Sequence, residues 1–229
     1  MTKVIAHRGA RGLAPENTLV AITAGLNAHA DEIEIDIRVT KDGVPILGHS
    51  PFMHDNRGYS LRHVLIARQN LAELKSRNSD LATLEDAIRA VDRRVPMVLE
   101  VKPAVDVLPV IKVVTHFLKK GWHPKDFLFA SFSQRTLEAL HEALPQIEPV
   151  VNARVSGLWA ARRARLVGAK RIAMFQYVVW WGYISAVHHA GYHLVVYTLN
   201  NPRKAARWAK RGLYGVVTDY PTRFKIKQR

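Results

Sequence analysis

Short apolar, β-prone runs recur eight times along this 229-residue chain, and most of the gaps between them hold helix-compatible sequence. The runs fall at residues 4–7, 33–37, 97–101, 127–131, 147–151, 171–174, 193–198 and 215–218. Strands alternating with helices pair in parallel, because each crossover returns the chain to the same end of the sheet. The pattern predicts an α/β fold, and two closures suit it: a single (β/α)8 barrel or a doubly wound open sheet. The length suits one barrel, so a single domain over residues 1–224 is expected, with a basic tail at 225–229. An extended piece at 45–48 follows the Asp42-Gly43 turn and reads as a bent continuation of the second strand. Any insertion after that strand is therefore expected to be small.

The helices have legible ends. Residues 18–28 follow the Pro15-Glu16-Asn17 turn, and Thr83 is a natural cap for 84–91. Leu137, Leu140 and Leu144 recur at helical spacing in and just beyond 133–143, while Asn201-Pro202 opens a helix over 203–211 that Gly212 closes.

Composition excludes some chemistry. With no Cys, the chain has no thiolate nucleophile, disulfide or Cys-ligated zinc, which fits a reducing, cytoplasmic setting. The first strand run starts within two residues of Met1, so no secretory signal is expected, and the longest apolar stretch, 177–184, is too short to span a bilayer. The net charge of +15 is lopsided: residues 1–114 carry 15 Lys+Arg against 14 Asp+Glu, and residues 115–229 carry 19 against 5. Such a field concentrates anions without choosing among phosphodiesters, anionic lipid and nucleic acid. Nucleic acid is not the expected partner, since no recognised binding module accompanies the basic residues.

Polar residues gather at the strand ends. His7 follows Val4-Ile5-Ala6; Glu34 and Asp36 alternate with three isoleucines and so share one strand face; Glu100 and Lys102 are likewise two apart; His49 ends the 45–48 piece. In parallel barrels the C-terminal strand ends build the active site. Glu34, Asp36 and Glu100 make an all-oxygen set suited to a hard divalent cation, Mg²⁺ or Ca²⁺. Two histidines can exchange protons near neutral pH, and Arg8 and Lys102 can hold a phosphoryl group. Together these suggest metal-assisted phosphoester hydrolysis.

The same residues resemble the glycerophosphodiester phosphodiesterase family. The likeness runs through His7-Arg8-Gly9, Pro15-Glu16-Asn17-Thr18, Glu34-Ile35-Asp36, Thr40-Lys41-Asp42-Gly43, His49, Thr83-Leu84-Glu85, Glu100-Val101-Lys102 and Ser131-Phe132. It closes with Tyr197-Thr198-Leu199-Asn200 and the segment from Gly215 to Pro221, in family order. The resemblance implies a (β/α)8 barrel with His7 and His49 as the acid/base pair and Glu34, Asp36 and Glu100 as metal ligands. It implies that Arg8 and Lys102 contact phosphate and that Phe132 and Tyr197 contact the substrate, a small phosphodiester cleaved to an alcohol and glycerol 3-phosphate. Attack by the substrate's neighbouring hydroxyl, giving a cyclic phosphate, and direct attack by water both fit that likeness.

Departures from the pattern qualify it. Ser50 stands where the family places aspartate after the second histidine, and Tyr197 replaces a usual tryptophan. His54-Asp55 offers the missing dipeptide but reads as a decoy in a loop, and residues 51–80 show no clear cap over the site. Other uses of such a barrel are hydrolysis of lysophospholipids or sphingomyelin-like lipids, or anion binding with weakened catalysis. Trp180 and Trp181 are expected to pack under the following helix, with contact to a membrane interface as the other use. Arg162, Arg163 and Arg165 are expected on a solvated face.

Overall fold

The computed structural model describes residues 2–55 and 60–224, so the tail expected at 225–229 lies outside the described residues. In chain order the strands and helices are β1 (Lys3–Ala6), α1 (Leu19–Asn27), β2 (Glu32–Val39), β3 (Pro45–Leu47), β4 (Phe52–His54), β5 (Ser60–Leu65), α2 (Leu71–Arg77) and α3 (Leu84–Val91). There follow β6 (Met97–Val101), α4 (Leu108–Lys119), β7 (Phe127–Ser131), α5 (Gln134–Ala143), β8 (Glu148–Ala153), α6 (Gly157–Leu166), β9 (Arg171–Phe175), α7 (Trp181–His189), β10 (His193–Tyr197), α8 (Pro202–Ala209) and β11 (Gly215–Thr218).

Eight parallel strands run in the order β1-β11-β10-β9-β8-β7-β6-β2. Pairing of Ile5 with Glu32 and Ala6 with Ile33 joins β1 back to β2 and closes the ring, which rules out the doubly wound sheet. β3 lies antiparallel on β2 as a ninth strand, so the piece at 45–48 is not the expected bent continuation of the second strand: the Asp42-Gly43 turn reverses the chain and pairs it back on β2.

Period-2 alternation sorts the side chains. On β2 and β6, Ile33, Ile35, Ile37, Met97, Leu99 and Val101 point outward and are fully buried against the helices. Each such side chain contributes roughly 1.5–3 kcal/mol of burial free energy. Inward-pointing residues make a second cluster: Ile5, Val98, Leu128, Ala130, Val150, Ala173, Val195 and Val217. Every barrel strand except β2 supplies an apolar residue to it; β2 presents Glu34 instead. At the N-terminal end of the barrel the lumen is shut by ion pairs, where fully buried Glu32 accepts from Arg171 Nη1 at 2.6 Å and from Lys3 Nζ at 2.7 Å.

The described parts of the segment 51–80, which shows no clear cap in the sequence, are residues 51–55 and 60–80, and they form a compact annex. The β4–β5 hairpin and α2 bury Met53, Val64, Ile66 and Leu74 with Ile46 of β3 in a cluster of their own. Three further corrections bear on the site. β8 runs to Ala153 rather than stopping at 151, so Asn152 is a strand residue. Arg163 is not on a solvated face: its guanidinium donates to the carbonyls of Asn152 (2.9 Å) and Ser131 (3.3 Å), tying the ends of β7 and β8 together. Trp180 and Trp181 are not tucked beneath α7; they sit at its N-terminus, 59% and 62% exposed.

Candidate active site

At the C-terminal ends of the strands lies a cleft of 340 Å³, lined among others by His7, Arg8, Asp36, His49, Glu100 and Lys102. Phe132, Arg154, Phe175 and Tyr197 form its opposite wall. Glu34 sits just below, facing a 50 Å³ void inside the barrel that His7, Glu100, Phe132 and Tyr197 also border. All nine site residues expected from the sequence thus converge. His54 and Asp55 line an adjoining 480 Å³ cavity under the annex, which His49 also touches.

The His7-Arg8-Gly9 turn leaves β1 with two left-handed residues, Arg8 at φ 51° and Gly9 at φ 82°. Gly9 is required on two counts: the positive φ, and a Cβ that would lie 2.5 Å from the Ala21 carbonyl carbon of α1. This turn aims the Arg8 N–H at Glu34 Oε2 (2.8 Å) and the Arg8 side chain at both Glu16 Oε1 (2.7 Å) and Asp36 Oδ2 (3.1 Å). Four residues before α1 carry the next part of the site. Asn17, also left-handed at φ 57°, donates its amide to Asp36 Oδ2 (2.9 Å) and accepts from the Asp36 N–H (3.0 Å), while Thr18 caps the helix by accepting from the Ala21 N–H. Pro-Glu-Asn-Thr is thus a turn, a salt-bridge partner, a carboxylate clamp and a helix cap in succession.

Oxygens of Glu34, Asp36 and Glu100 lie within 4.8 Å of one another, and all three residues are buried. Lys102 Nζ bridges Asp36 and Glu100, and Asn152 donates to the other oxygen of Glu100 at 2.9 Å. The carboxyls differ in their ease of ionisation. Burial, and then the nearby Asp36 and Glu100, push Glu34 well above the usual carboxylate range. Glu100 is raised for the same reasons, burial first and Asp36 second. Burial would raise Asp36 too, but Lys102 and Arg8 outweigh it and hold that carboxyl low.

The two histidines are set apart by their partners. His7 Nδ1 lies 2.6 Å from Asp219 Oδ1, and Asp219 is itself held by the Asn200 amide (2.8 Å) and Arg11 (3.4 Å). Burial would raise Asp219, but its bonds to His7 and Asn200 keep it ionised, so the ring proton of neutral His7 sits on Nδ1, facing that carboxylate, and Nε2 carries none. Burial lowers His7 below its ordinary value, with Asp219 opposing. Among the described residues none gives His49 such an opposing hydrogen bond; burial drives it to about 4, with Asp36 pulling it up and Lys102 and Arg8 pushing it further down. Ser50 Oγ accepts from the Phe52 N–H at 3.0 Å.

A model of the glycerophosphoryl diester phosphodiesterase family matches residues 7–223. The chain belongs to that family. It is 26% identical over 245 residues to a glycerophosphodiester phosphodiesterase of Bacillus altitudinis, covering 100% of this chain and 99% of that one. It is likewise 26% identical over 256 residues to one of Bacillus subtilis (strain 168), covering 98% and 86%. An Oleispira antarctica phosphodiesterase, solved with the product sn-glycerol-3-phosphate, superposes with a TM-score of 0.84 at 28% identity, over 97% of this chain and 95% of that one.

Four further side chains reach the site of this glycerophosphodiester phosphodiesterase beyond the nine expected from the sequence. Asp219 ends a recognised motif but is separated from His7 by 212 positions. Asn17 is one link of another motif. Asn152 lies beyond the strand end that the sequence predicts at 151, and its spacing of two from Val150 is the signal that places it on the lumen face. Arg154, two further on, lies 4.8 Å from the Phe132 ring. No helix among the described residues is long and apolar enough to cross a membrane.

Proposed function

We propose that the cleft hydrolyses glycerophosphodiesters to an alcohol and glycerol 3-phosphate, with one divalent cation on Glu34, Asp36 and Glu100 and with His49 and His7 carrying the protons. The observation that supports this most is the convergence of these residues with Arg8 and Lys102 on one cleft. The donor set fits a hard cation, being all oxygen and buried. Charge fits as well: three carboxylates against Arg8 and Lys102 leave the ionised cluster at −1, which a dication and a monoanionic diester together bring to zero. Glu34 is the carboxyl with most to gain, since burial, and then Asp36 and Glu100, oppose its ionisation. When bound, the cation withdraws charge from a phosphoryl oxygen.

The protein's own residues supply the rest. Arg8 and Lys102 border the diester and stay anchored by carboxylates, so little side-chain freedom is lost on binding. His49, neutral at pH 7, accepts the proton of the attacking hydroxyl, whether water's or the substrate's. His7 is the donor to the departing alkoxide once its Nε2 has taken a proton from solvent; Asp219 on Nδ1 stabilises that imidazolium against the burial that disfavours it, and the proton His49 accepts returns to solvent after the step. Phe132, Phe175 and Tyr197 shield that exchange from bulk water and offer apolar faces to the glycerol carbons. The test is hydrolysis of a panel of water-soluble glycerophosphodiesters, followed by ³¹P NMR with and without chelator. Glycerol 3-phosphate should accumulate only when divalent cation is free; no turnover of any member, or full turnover in chelator, overturns the proposal.

A further inference from the structure

The loops that follow β8 and β9, with the first turns of α6 and α7 that they lead into, carry an apolar surface that the cleft chemistry does not use. Val155, Leu158, Trp159, Tyr177, Trp180 and Trp181 are each between 59 and 87% exposed. β8 and β9 are neighbours in the barrel, so both loops rise from the same rim as the cleft. They also meet: a Cβ at Gly157 would lie 2.2 Å from the ring of Tyr183 on α7, which brings the first turn of α6 against the first turn of α7. Water-facing tryptophans, leucine and valine in such proximity cost free energy unless something covers them.

The surroundings of this patch are cationic. From residue 149 to residue 218 there is no Asp or Glu, against eleven Lys and Arg. Arg162 stacks over Trp159 at 5.4 Å and Arg211 over Trp181 at 5.5 Å, while exposed Arg154 stands between the patch and the cleft. Aromatic tips ringed by arginines match the boundary of an anionic bilayer, where indole sits at headgroup depth and guanidinium meets phosphate. A track of rings also leads inward, Tyr177 to Phe175 at 5.2 Å and Phe175 to Tyr197 at 6.0 Å, ending on the wall of the cleft.

We infer that this rim docks on an anionic phospholipid surface, inserting Leu158, Trp159 and Trp180 at the headgroup boundary with the cleft mouth facing the membrane. The test uses vesicles of phosphatidylcholine with and without about one-third phosphatidylglycerol, read by co-sedimentation and by quenching of tryptophan fluorescence with bromine-labelled acyl chains. The wild-type protein should sediment with the anionic vesicles and be quenched. The double variant Leu158→Ser/Trp159→Ser, and separately Trp180→Ser, should weaken vesicle binding by about tenfold or more, with turnover of a water-soluble diester unchanged. That soluble assay separates a failure of docking from a failure of the catalytic proposal. The inference is overturned if wild-type protein ignores anionic vesicles at low salt, or if it binds without quenching, which would mark a purely electrostatic contact. A dimer in light scattering that the substitutions dissolve, without vesicle binding by the wild type, would make the patch a subunit interface and also overturn it.

Discussion

Lys102→Met separates the structural work of the charge cluster from its chemistry. Lys102 is 5% exposed, and its ammonium bridges Asp36 and Glu100, which are 1% and 9% exposed. Methionine keeps most of the volume and removes the charge, leaving Arg8 alone against three carboxylates. Removing one partner of a buried ion pair costs about 3–5 kcal/mol. In a domain of this size each kcal/mol moves Tm by about 2–4 °C, so metal-free Tm should fall by roughly 6–20 °C. The sign with pH follows from Asp36. Its folded pKa is depressed in the wild type, so its contribution is present above the unfolded value and lost as pH falls through the folded one. The gap between variant and wild type should therefore be widest near neutrality and narrow toward acid. A divalent cation replaces the lost charge, so saturating Mg²⁺ or Ca²⁺ should raise Tm more in the variant than in the wild type. Differential scanning fluorimetry with chelator and with metal reads all three. An unchanged metal-free Tm, with equal metal responses in both proteins, would refute the reasoning.

The remaining predictions test single groups. Glu34→Gln removes a carboxyl whose ionisation burial, Asp36 and Glu100 oppose, so chelator-treated Tm should hold or rise while metal-dependent turnover drops by about 100-fold or more; a large loss of metal-free stability would contradict this. Asp219→Asn takes from His7 the partner that raises its pKa, so kcat should fall about 10²–10⁴-fold and the His7 limb of the pH–rate profile should move acidward, with KM little changed. His49, facing Asp36, Lys102, Arg8 and Glu16, has a folded pKa of about 4 against an ordinary 6.5, so the unfolded chain takes its proton first and stability declines as pH falls between those values. His49→Gln should flatten that part of the Tm–pH curve, and an unaltered slope would count against a neutral His49.

What was legible in the chain follows from periodicity. Eight strand runs and the pairs Glu34/Asp36 and Glu100/Lys102 are read two residues at a time, and the barrel preserves that spacing, so fold and charge cluster were both visible. Closure itself was not, since the bonds joining Ile5 and Ala6 to β2 leave no mark on local pattern. Partners defined by the ring rather than the strand were also hidden. Asp219 reaches His7 only because β11 lies beside β1, and Asn152 reaches Glu100 only by pointing across the lumen. The annex escaped because its strands are of three and six residues, too short for an alternating signal to stand out. Arg163 looked like one of three equivalent surface arginines, yet the helical turn of α6 singles it out to bridge two strand ends.

The convergence of Glu34, Asp36 and Glu100 around one cation beside His7 is the claim on which the proposed chemistry turns. Crystals soaked in Mn²⁺ and measured near its absorption edge would locate that ion without reference to activity. The account predicts one strong anomalous peak at about 2.0–2.6 Å from an oxygen of each of the three carboxylates. A peak elsewhere on the protein, or none at a concentration that supports turnover, would contradict it.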